Sequence, residues 1–141
     1  SVMHLDLDYF KTVNDTLGHA AGDHVLREVA TVLRAQTRAE DVIARVGGDE
    51  FLLLFPGLSD AAAVTQIAGR IIDRIAEPVW FEGQVCRVAA SIGMTLSAFY
   101  AAPQPDQIMQ DVDAALYTAK RAGRGRAMMV SQAEEGRLGG H

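Results

Sequence analysis

A pair of glycines between two apolar runs is the sequence feature that most constrains the fold. Residues 41–46 and 51–55 are rich in branched and aromatic side chains, and Gly47-Gly48 lies between them. Adjacent glycines favour a two-residue hairpin turn, because the primed turns require positive φ. The sequence therefore predicts an antiparallel hairpin, so at least two strands of the fold pair in opposite directions.

The rest of the chain alternates between strand-like and helix-like patterns. Strands are predicted for residues 1–7, 79–81, 85–96 and 127–130, and Glu82-Gly83 can link the second and third of these as a small extra hairpin. After a short helical turn, three longer helices with a 3.6-residue apolar stripe are predicted, capped or opened by Asp23, by Ser59 or Asp60, and by Pro103 and Pro105. Gly123 stands where the last helix is expected to end. Mixed strand pairing with helices on one face implies an α+β sandwich.

Composition and charge limit the possible functions. The 141 residues are 49% hydrophobic and 22% charged, which excludes intrinsic disorder and predicts one domain over residues 1–130. Residues 131–141 lack periodicity and are predicted to be a flexible tail or linker stub. A formal charge of −5 argues against nucleic-acid or direct membrane contact, so a phosphate-rich partner would need metal cations. The one cysteine, Cys86, fits a reducing cytosol.

Two pairs of acids stand at the ends of predicted strands. Asp6 and Asp8 are two residues apart on a strand and can converge on one face, whereas Asp49 and Glu50 are expected to diverge unless the turn bends one back. Carboxylate and carbonyl oxygens are the ligands that Mg²⁺ prefers. The alternative is that these acids only terminate strands and stay solvated.

Four spaced motifs resemble the GGDEF family of diguanylate cyclases. They are Asp6-Leu7-Asp8-Tyr9-Phe10-Lys11 for DLDxFK, Asn14-Asp15 with Gly18-His19 and Gly22-Asp23 for NDxxGHxxGD, residues 47–51 for GGDEF itself, and Ala115-Leu116-Tyr117 with Ala119-Lys120 and Gly123-Arg124 for ALYxAKxxGR. The resemblance implies a palm-like mixed sheet with antiparallel-type pairing, flanked by helices as in nucleotidyl cyclases. Family domains normally start with a helix and loop before the first strand, so the resemblance also implies an N-terminally truncated domain, shorter by about 30 residues.

The family joins two GTP molecules into cyclic di-GMP and two pyrophosphates, each 3′-hydroxyl attacking the other nucleotide's α-phosphate in a homodimer. Metal ions and positioning supply most of the catalysis in such phosphoryl transfer. The resemblance implies Mg²⁺ or Mn²⁺ held by Asp6, the carbonyl of Leu7, Asp49 and Glu50. Asp49 matches the residue usually assigned as general base and Glu50 a metal-binding carboxylate, and their division of roles stays open.

The resemblance also implies a set of substrate-binding residues. They are Phe10, Lys11, Asn14, His19, Asp23, Gly47, Gly48, Lys120 and Arg124. Asp23 can accept from the guanine N1–H and amino group together, and its capping role can coexist with that contact. Lys120 and Arg124 stand i and i+4 on one predicted helix face, well spaced to clamp a triphosphate. The alternative for this pair is compensation of the helix dipole, which contributes about 0.3–1 kcal/mol each.

Arg38 and Asp41 stand where many members of the family carry an RxxD inhibitory site that binds the product. Arginine can fork onto phosphate or stack on guanine, while an acid can hold the base. The alternative is an exposed i,i+3 ion pair contributing a few tenths of a kcal/mol. Arg70 or Arg74 can complete the site from the neighbouring helix.

These observations lead to one main function and two alternatives. The main expectation is a diguanylate cyclase active as a homodimer, within a cytoplasmic part of a larger protein that can be membrane-anchored and that carries an upstream sensor domain. The first alternative is a noncatalytic domain that binds GTP or cyclic di-GMP and regulates an attached downstream EAL phosphodiesterase domain. The second is another palm-type cyclase that makes a cyclic mononucleotide from one GTP.

Overall fold

The computed structural model describes residues 1–130, and the predicted tail at residues 131–141 lies outside them. The described residues form β1 (Val2–Asp8), α1 (Phe10–Leu17), α2 (His19–Ala35), β2 (Val42–Arg45), β3 (Glu50–Leu54), α3 (Ala61–Ile75), β4 (Val79–Phe81), β5 (Gln84–Cys86), β6 (Ala89–Thr95), α4 (Pro105–Arg121) and β7 (Ala127–Met129). A 3₁₀ turn, Ser97–Phe99, precedes α4. None of the helices in this part of the chain is long and apolar enough to cross a bilayer.

Five strands form one sheet in the order β2-β3-β1-β6-β7. Every neighbouring pair is antiparallel except β6 and β7, which run parallel. In the centre of the sheet, Leu5 of β1 lies opposite Phe51 of β3 and Ile92 of β6. The α+β class and the mixed, mostly antiparallel sheet are therefore confirmed.

The predicted hairpin is confirmed as β2 and β3, but its turn is not the predicted primed turn. The connection runs over residues 46–49, closed by the Val46 N–H donating to the Glu50 carbonyl at 3.0 Å, and neither Gly47 nor Gly48 has a positive φ. Arg45 instead fixes the loop, because its Nε donates to the Gly47 carbonyl at 3.1 Å and its Nη2 to the Gly48 carbonyl at 2.8 Å. Hydrogen bonds from the Arg45 side chain thus stabilise a longer connection, which does not need the positive φ angles of a two-residue primed turn.

Helices cover both faces of the sheet, so the expectation of helices on one face is wrong. Met3, Leu5 and Leu7 of β1 point into the main core together with apolar residues of α1, α2 and α3. The opposite face is covered by α4, which approaches so closely at Gly93 that a Cβ there would overlap the backbone of Val112 and Leu116. The central strands are therefore buried on both sides, and α4 is brought directly over the polar face of β1.

Two predicted elements have different boundaries in the structure. Helix α2 begins at His19 rather than at Asp23, because Gly18 at φ 92° makes the junction with α1, so Asp23 lies within the helix and is not its N-cap. The strand predicted for residues 85–96 is two strands, because β5 pairs with β4 in a separate small hairpin while β6 joins the main sheet.

Other predicted ends are confirmed. Asp60 caps α3, with its Oδ1 accepting from the Ala62 N–H at 3.0 Å. Pro105 is the first residue of α4, and Gly123, at φ 125°, follows the end of that helix.

Candidate functional site

The two acidic motifs meet where β1 and the hairpin lie side by side. Asp6 of β1 is directly opposite Glu50 of β3, and the Leu7 N–H donates to the Asp49 carbonyl at 2.9 Å. Residues more than forty positions apart in sequence are thus held together by the sheet register. This placement brings the predicted catalytic pair, Asp49 and Glu50, against the predicted metal-binding strand end.

The three carboxylates of this cluster influence one another. The pKa of Asp49 is raised, first by burial of its carboxyl and next by the negative charge of Asp6, with a further contribution from Glu50. Hydrogen bonding to its own backbone and the charge of Lys120 act in the opposite direction. A carboxyl whose charged form is disfavoured takes up a proton more readily at neutral pH than an ordinary aspartate.

Two cations from the end of α4 and the following loop face the acids of β1. Lys120 Nζ lies 2.7 Å from Asp6 Oδ2 and 3.8 Å from Asp8 Oδ1, and Arg124 Nε lies 3.6 Å from the same Asp8 oxygen. The prediction that Lys120 and Arg124 share one helix face is wrong, because α4 ends at Arg121 and Arg124 lies in the loop with φ 64°. The two cations nevertheless converge on the buried Asp8.

Asp8 anchors that loop as well as the cations. Its Oδ2 accepts from the Ser91 hydroxyl at 2.6 Å and from the Gly125 N–H at 3.3 Å. The side chain is fully buried, so its negative charge depends on these donors and on Lys120 and Arg124. The sequence predicts only that Asp8 shares a strand face with Asp6 and does not indicate that it anchors the loop.

The donor chemistry of the cluster fits a divalent cation. Asp6 Oδ1 is buried and has no hydrogen-bond partner within residues 1–130, and Asp49 and Glu50 supply further carboxylate oxygens nearby. Hard cations such as Mg²⁺ and Mn²⁺ prefer such oxygen ligands. No three Asp, Glu, His or Cys side chains of the described residues are already arranged around a single metal position. An ion held by one or two of these carboxylates would complete its shell of oxygen ligands with backbone carbonyls, phosphates or water.

The residues predicted to recognise guanine lie where α1 packs on α2. The Asn14 carboxamide sits directly over Gly22, where a Cβ would overlap its oxygen, and Asp23 follows Gly22 on the exposed side of α2. Asp23 also lines a surface pocket together with Arg27 and Phe51. The helix junction thus brings Asn14 and Asp23 to neighbouring positions.

The other predicted nucleotide residues differ in burial. Phe10 is part of the hydrophobic core, while Lys11 beside it is exposed in the first turn of α1. His19 is the exposed first residue of α2. Gly47 approaches Glu50 so closely that a Cβ would lie 2.5 Å from Glu50 Oε2, whereas Gly48 has open space around it. A side chain at Gly47 would therefore displace a predicted catalytic acid.

Arg38 and Asp41 lie on either side of an exposed turn between α2 and β2. The Asp41 carboxylate accepts from the Arg38 backbone N–H at 2.7 Å, and the Arg38 guanidinium lies 3.6 Å from Glu40 Oε1. Arg38 and Asp41 line a shallow groove. Arg70 of α3 donates to the Gln36 side chain at 3.0 Å, close to this turn. The alternative interpretation, an i,i+3 ion pair between Arg38 and Asp41, is not observed among the described residues, because the Arg38 guanidinium pairs with Glu40 instead.

One neighbour of the candidate site carries little signal in the sequence. His4, in the middle of β1, places Nε2 at 3.2 Å from Glu50 Oε1 and Nδ1 at 2.6 Å from Asp113 Oδ1. Neither His4 nor Asp113 belongs to a recognised motif, and a lone histidine on a strand has no ligand-like spacing. Its position two residues before Asp6, on the same strand face, is the one sequence clue.

Comparison with known proteins agrees with this geometry. The family model "Diguanylate cyclase, GGDEF domain" matches residues 1–126. The probable diguanylate cyclase DgcE of Escherichia coli is 45% identical over 128 residues, which cover 89% of this chain and 11% of DgcE. The chain thus spans about a tenth of the length of that relative.

Solved structures show the same architecture. The GGDEF domain of TpbB from Pseudomonas aeruginosa superposes with a TM-score of 0.87 at 37% identity, covering 99% of this chain and 81% of that one. The GGDEF domain of DgcB from Caulobacter crescentus, solved in complex with c-di-GMP, gives 0.86 at 30% identity, covering 92% and 77%. On its sequence motifs, its sheet and these matches, the chain belongs to the GGDEF family of diguanylate cyclase domains.

Proposed function

We propose that the chain is the catalytic domain of a diguanylate cyclase, which condenses two GTP molecules into cyclic di-GMP and two pyrophosphates. The observation that carries this proposal is the cross-strand pairing of Asp6 with Glu50, with Asp49 beside them. Together these residues form a carboxylate cluster faced by Lys120. Relatives named as diguanylate cyclases support the same chemistry.

The carboxylate cluster is proposed to hold Mg²⁺ or Mn²⁺ through Asp6, the Leu7 carbonyl, Asp49 and Glu50. A divalent cation bound there would neutralise charge on the triphosphate as the phosphoryl group is transferred. Asp49 is proposed to take the proton from the attacking 3′-hydroxyl, a role that its raised pKa favours. Lys120 and Arg124 are proposed to contact the phosphates that leave as pyrophosphate, since both are partly exposed cations at the edge of the cluster.

Asn14 and Asp23 are proposed to read the guanine base, with Lys11, His19 and the N-terminal backbone of α1 close to the nucleotide. A carboxylate can accept from the N1–H and the amino group of guanine at once, whereas adenine has no donor at N1. The exposure of Asp23 supports this role, since its side chain is not used as a helix cap. The pairing provides a physical basis for choosing GTP over ATP.

The reaction is proposed to need two copies of the domain, each holding one GTP, because each nucleotide serves as both nucleophile and electrophile. The groove at Arg38 and Asp41 is proposed to bind the product and inhibit turnover. Support comes from the exposed guanidinium of Arg38 and from the complex of DgcB with c-di-GMP. The domain is also proposed to lie in a cytoplasmic part of a larger protein that carries an upstream sensor domain and, in the noncatalytic alternative, a downstream EAL domain.

The test is incubation of the purified protein with GTP and Mg²⁺, with identification of products by mass spectrometry. Cyclic di-GMP is expected from the wild type, and none from a folded Glu50→Gln variant. GTP affinity is measured in parallel by calorimetry. A folded wild type that binds GTP or cyclic di-GMP but makes no product would instead support the noncatalytic sensor. Cyclic GMP formed at a rate per protein that does not depend on protein concentration would support a mononucleotide cyclase.

A further inference from the structure

Three consecutive residues after α4 have positive φ angles, and one of them is not a glycine. The φ values of Gly123, Arg124 and Gly125 are 125°, 64° and 60°. A positive φ costs free energy in a residue with a Cβ, and such strain persists only where neighbouring groups fix the backbone. Arg124 is one of the two cations proposed to contact the phosphates, so the groups that fix its backbone bear on substrate binding.

Two backbone N–H groups attach this loop to the rest of the domain. The Arg124 N–H donates to the Ala119 carbonyl at 3.1 Å, which ties the loop to the last turn of α4. The Gly125 N–H donates to the buried Asp8 carboxylate at 3.3 Å, which ties it to the end of β1. Neither of these hydrogen bonds uses the Arg124 carbonyl.

Arg126 supplies a donor for that carbonyl. Its Nε donates to the Arg124 oxygen at 3.2 Å, and its guanidinium lies over Gly123, where a Cβ would come within 2.8 Å of Nη2. The backbone of Arg126 is itself held by the sheet, because its carbonyl accepts from the Ile92 N–H at 2.9 Å where β7 joins β6. The Arg126 side chain therefore links the left-handed residue of the loop to the edge of the sheet.

The Arg124 side chain is suited to meet a ligand once its backbone is fixed. It is 51% exposed, and its Nε lies 3.6 Å from Asp8 Oδ1. A long side chain on a mobile loop loses more rotamer and backbone freedom on binding than one on a fixed loop. A loop that is already held in place therefore gives a stronger phosphate contact.

We propose that Arg126 is a positioning residue, which fixes the left-handed backbone of Arg124 through its Nε–H and so presents the Arg124 guanidinium to the triphosphate. The inference rests on the proposed function for the phosphate contact of Arg124. The competing explanation is that Arg126 attracts phosphate through its positive charge, since it makes no ion pair within residues 1–130.

The first arm of the test needs no nucleotide. Proton exchange of arginine Nε–H groups with solvent is measured by NMR, and a hydrogen bond slows it. The guanidinium of Arg121 is the internal control, because it lies over the Tyr117 ring and makes no hydrogen bond within residues 1–130. We expect the Arg126 Nε–H to exchange about 2–10-fold more slowly than that of Arg121. Equal exchange rates would overturn the proposal, whether or not the protein is a cyclase.

The second arm separates the hydrogen bond of Arg126 from its charge. Arg126→Gln keeps an N–H at the position of Nε and loses the charge, whereas Arg126→Lys keeps the charge and has a methylene there. Calorimetry with Mg²⁺ measures binding of a GTP analogue that cannot react, because a methylene replaces its α,β-bridging oxygen. GMP, which lacks the phosphates that Arg124 is proposed to contact, is the matched ligand. We expect Arg126→Lys to bind the analogue about 2–10-fold more weakly with unchanged GMP affinity, and Arg126→Gln to bind both ligands as the wild type does.

A double-mutant cycle shows whether Arg126 acts through Arg124. In an Arg124→Gln background, Arg126→Lys is expected to cause no further loss of analogue affinity. The proposal would be overturned by an additive loss, by unchanged analogue affinity in Arg126→Lys, by a loss in Arg126→Gln, or by parallel losses for the analogue and GMP. A wild type that does not bind the analogue would contradict the phosphate contact of Arg124 and the proposal with it. If the wild type binds the analogue but makes no cyclic di-GMP from GTP, the proposed function fails and the measured affinities still decide the role of Arg126.

Discussion

The ammonium group of Lys120 lies 2.7 Å from Asp6 Oδ2, where the last turn of α4 meets the end of β1. The same nitrogen is 3.8 Å from the buried Asp8 Oδ1. One cation therefore compensates two carboxylates that the sheet holds on one face. Lys120 is thus expected to matter for the stability of the site as well as for phosphate binding.

Replacement of Lys120 by Met separates its charge from its apolar stem. The variant is expected to lose about 1–3 kcal/mol of unfolding free energy, because Asp6 and Asp8 lose a charged partner. It is also expected to bind GTP at least about tenfold more weakly, whereas Lys120→Arg should keep most of the stability. Chemical denaturation in EDTA and calorimetry with GTP measure the two effects. If Lys120→Met is as stable as the wild type, then solvent rather than Lys120 stabilises the negative charges of Asp6 and Asp8.

The raised pKa of Asp49 predicts how stability depends on pH. The folded pKa lies above the ordinary value of 3.8, so the folded protein binds more protons than the unfolded chain between these two values. Ionised Asp49 therefore becomes more unfavourable to folding as pH rises from about 4 through the folded pKa, and its cost is constant above that. Asp49→Asn should be more stable than the wild type at pH 7, and the difference should vanish below about pH 4.

Urea denaturation in EDTA at several pH values tests this dependence. Asp73→Asn, at an exposed acid of α3, supplies the baseline for removal of a carboxylate. A stability difference between Asp49→Asn and the wild type that grows as pH falls would contradict the prediction. The control is expected to show no comparable gain at pH 7.

Gly22 is expected to determine the position of the Asn14 amide, which is proposed to read the guanine base. A Cβ at this residue would overlap the Asn14 oxygen and lie 3.3 Å from Phe10 Cζ, so Gly22→Ala should displace Asn14 from its place over α2. We expect about 1–3 kcal/mol of destabilisation from overpacking and a reduced preference for GTP over ATP. Competition binding and thermal unfolding measure both quantities.

Gly69→Ala is the matched control for that substitution. Gly69 lies within α3 and has nothing within 4 Å of a built Cβ, so alanine there should stabilise the helix by about 0.5–1 kcal/mol and leave nucleotide preference unchanged. Intact GTP preference in a folded Gly22→Ala variant would argue against base reading by Asn14.

Arg38 offers a cleaner test of product inhibition than Asp41. The Asp41 carboxylate closes its turn by accepting from the Arg38 N–H, whereas the Arg38 guanidinium contacts only the exposed Glu40 among the ion pairs of the described residues. Arg38→Ala should therefore relieve inhibition by cyclic di-GMP without loss of turnover, and Glu40→Gln should leave inhibition in place. Initial rates at increasing product concentration decide this, and persistent inhibition in Arg38→Ala would make Arg38 an ordinary surface residue.

Features encoded by neighbouring residues could be predicted from the sequence. The Asp60 cap, the start of α4 at Pro105 and the pairing of residues 41–46 with 51–55 each depend on local spacing, and the structure contains all three. The α+β class followed from the order of these elements.

Features that depend on particular side-chain contacts in the folded chain could not be predicted. The hairpin turn differs because the Arg45 side chain bonds the glycine carbonyls, and helices occupy both sheet faces because Gly93 admits α4. The contacts of His4 could not be predicted for the same reason, since Glu50 and Asp113 approach it from other elements.

The most direct test of the central claim is the stoichiometry of products formed from GTP and Mg²⁺, measured by chromatography and mass spectrometry. The account predicts one cyclic di-GMP and two pyrophosphates for every two GTP consumed, with a rate per protein that rises with protein concentration and is lost in Glu50→Gln. A folded wild type that binds GTP yet releases no pyrophosphate, or that yields only cyclic GMP, would contradict it.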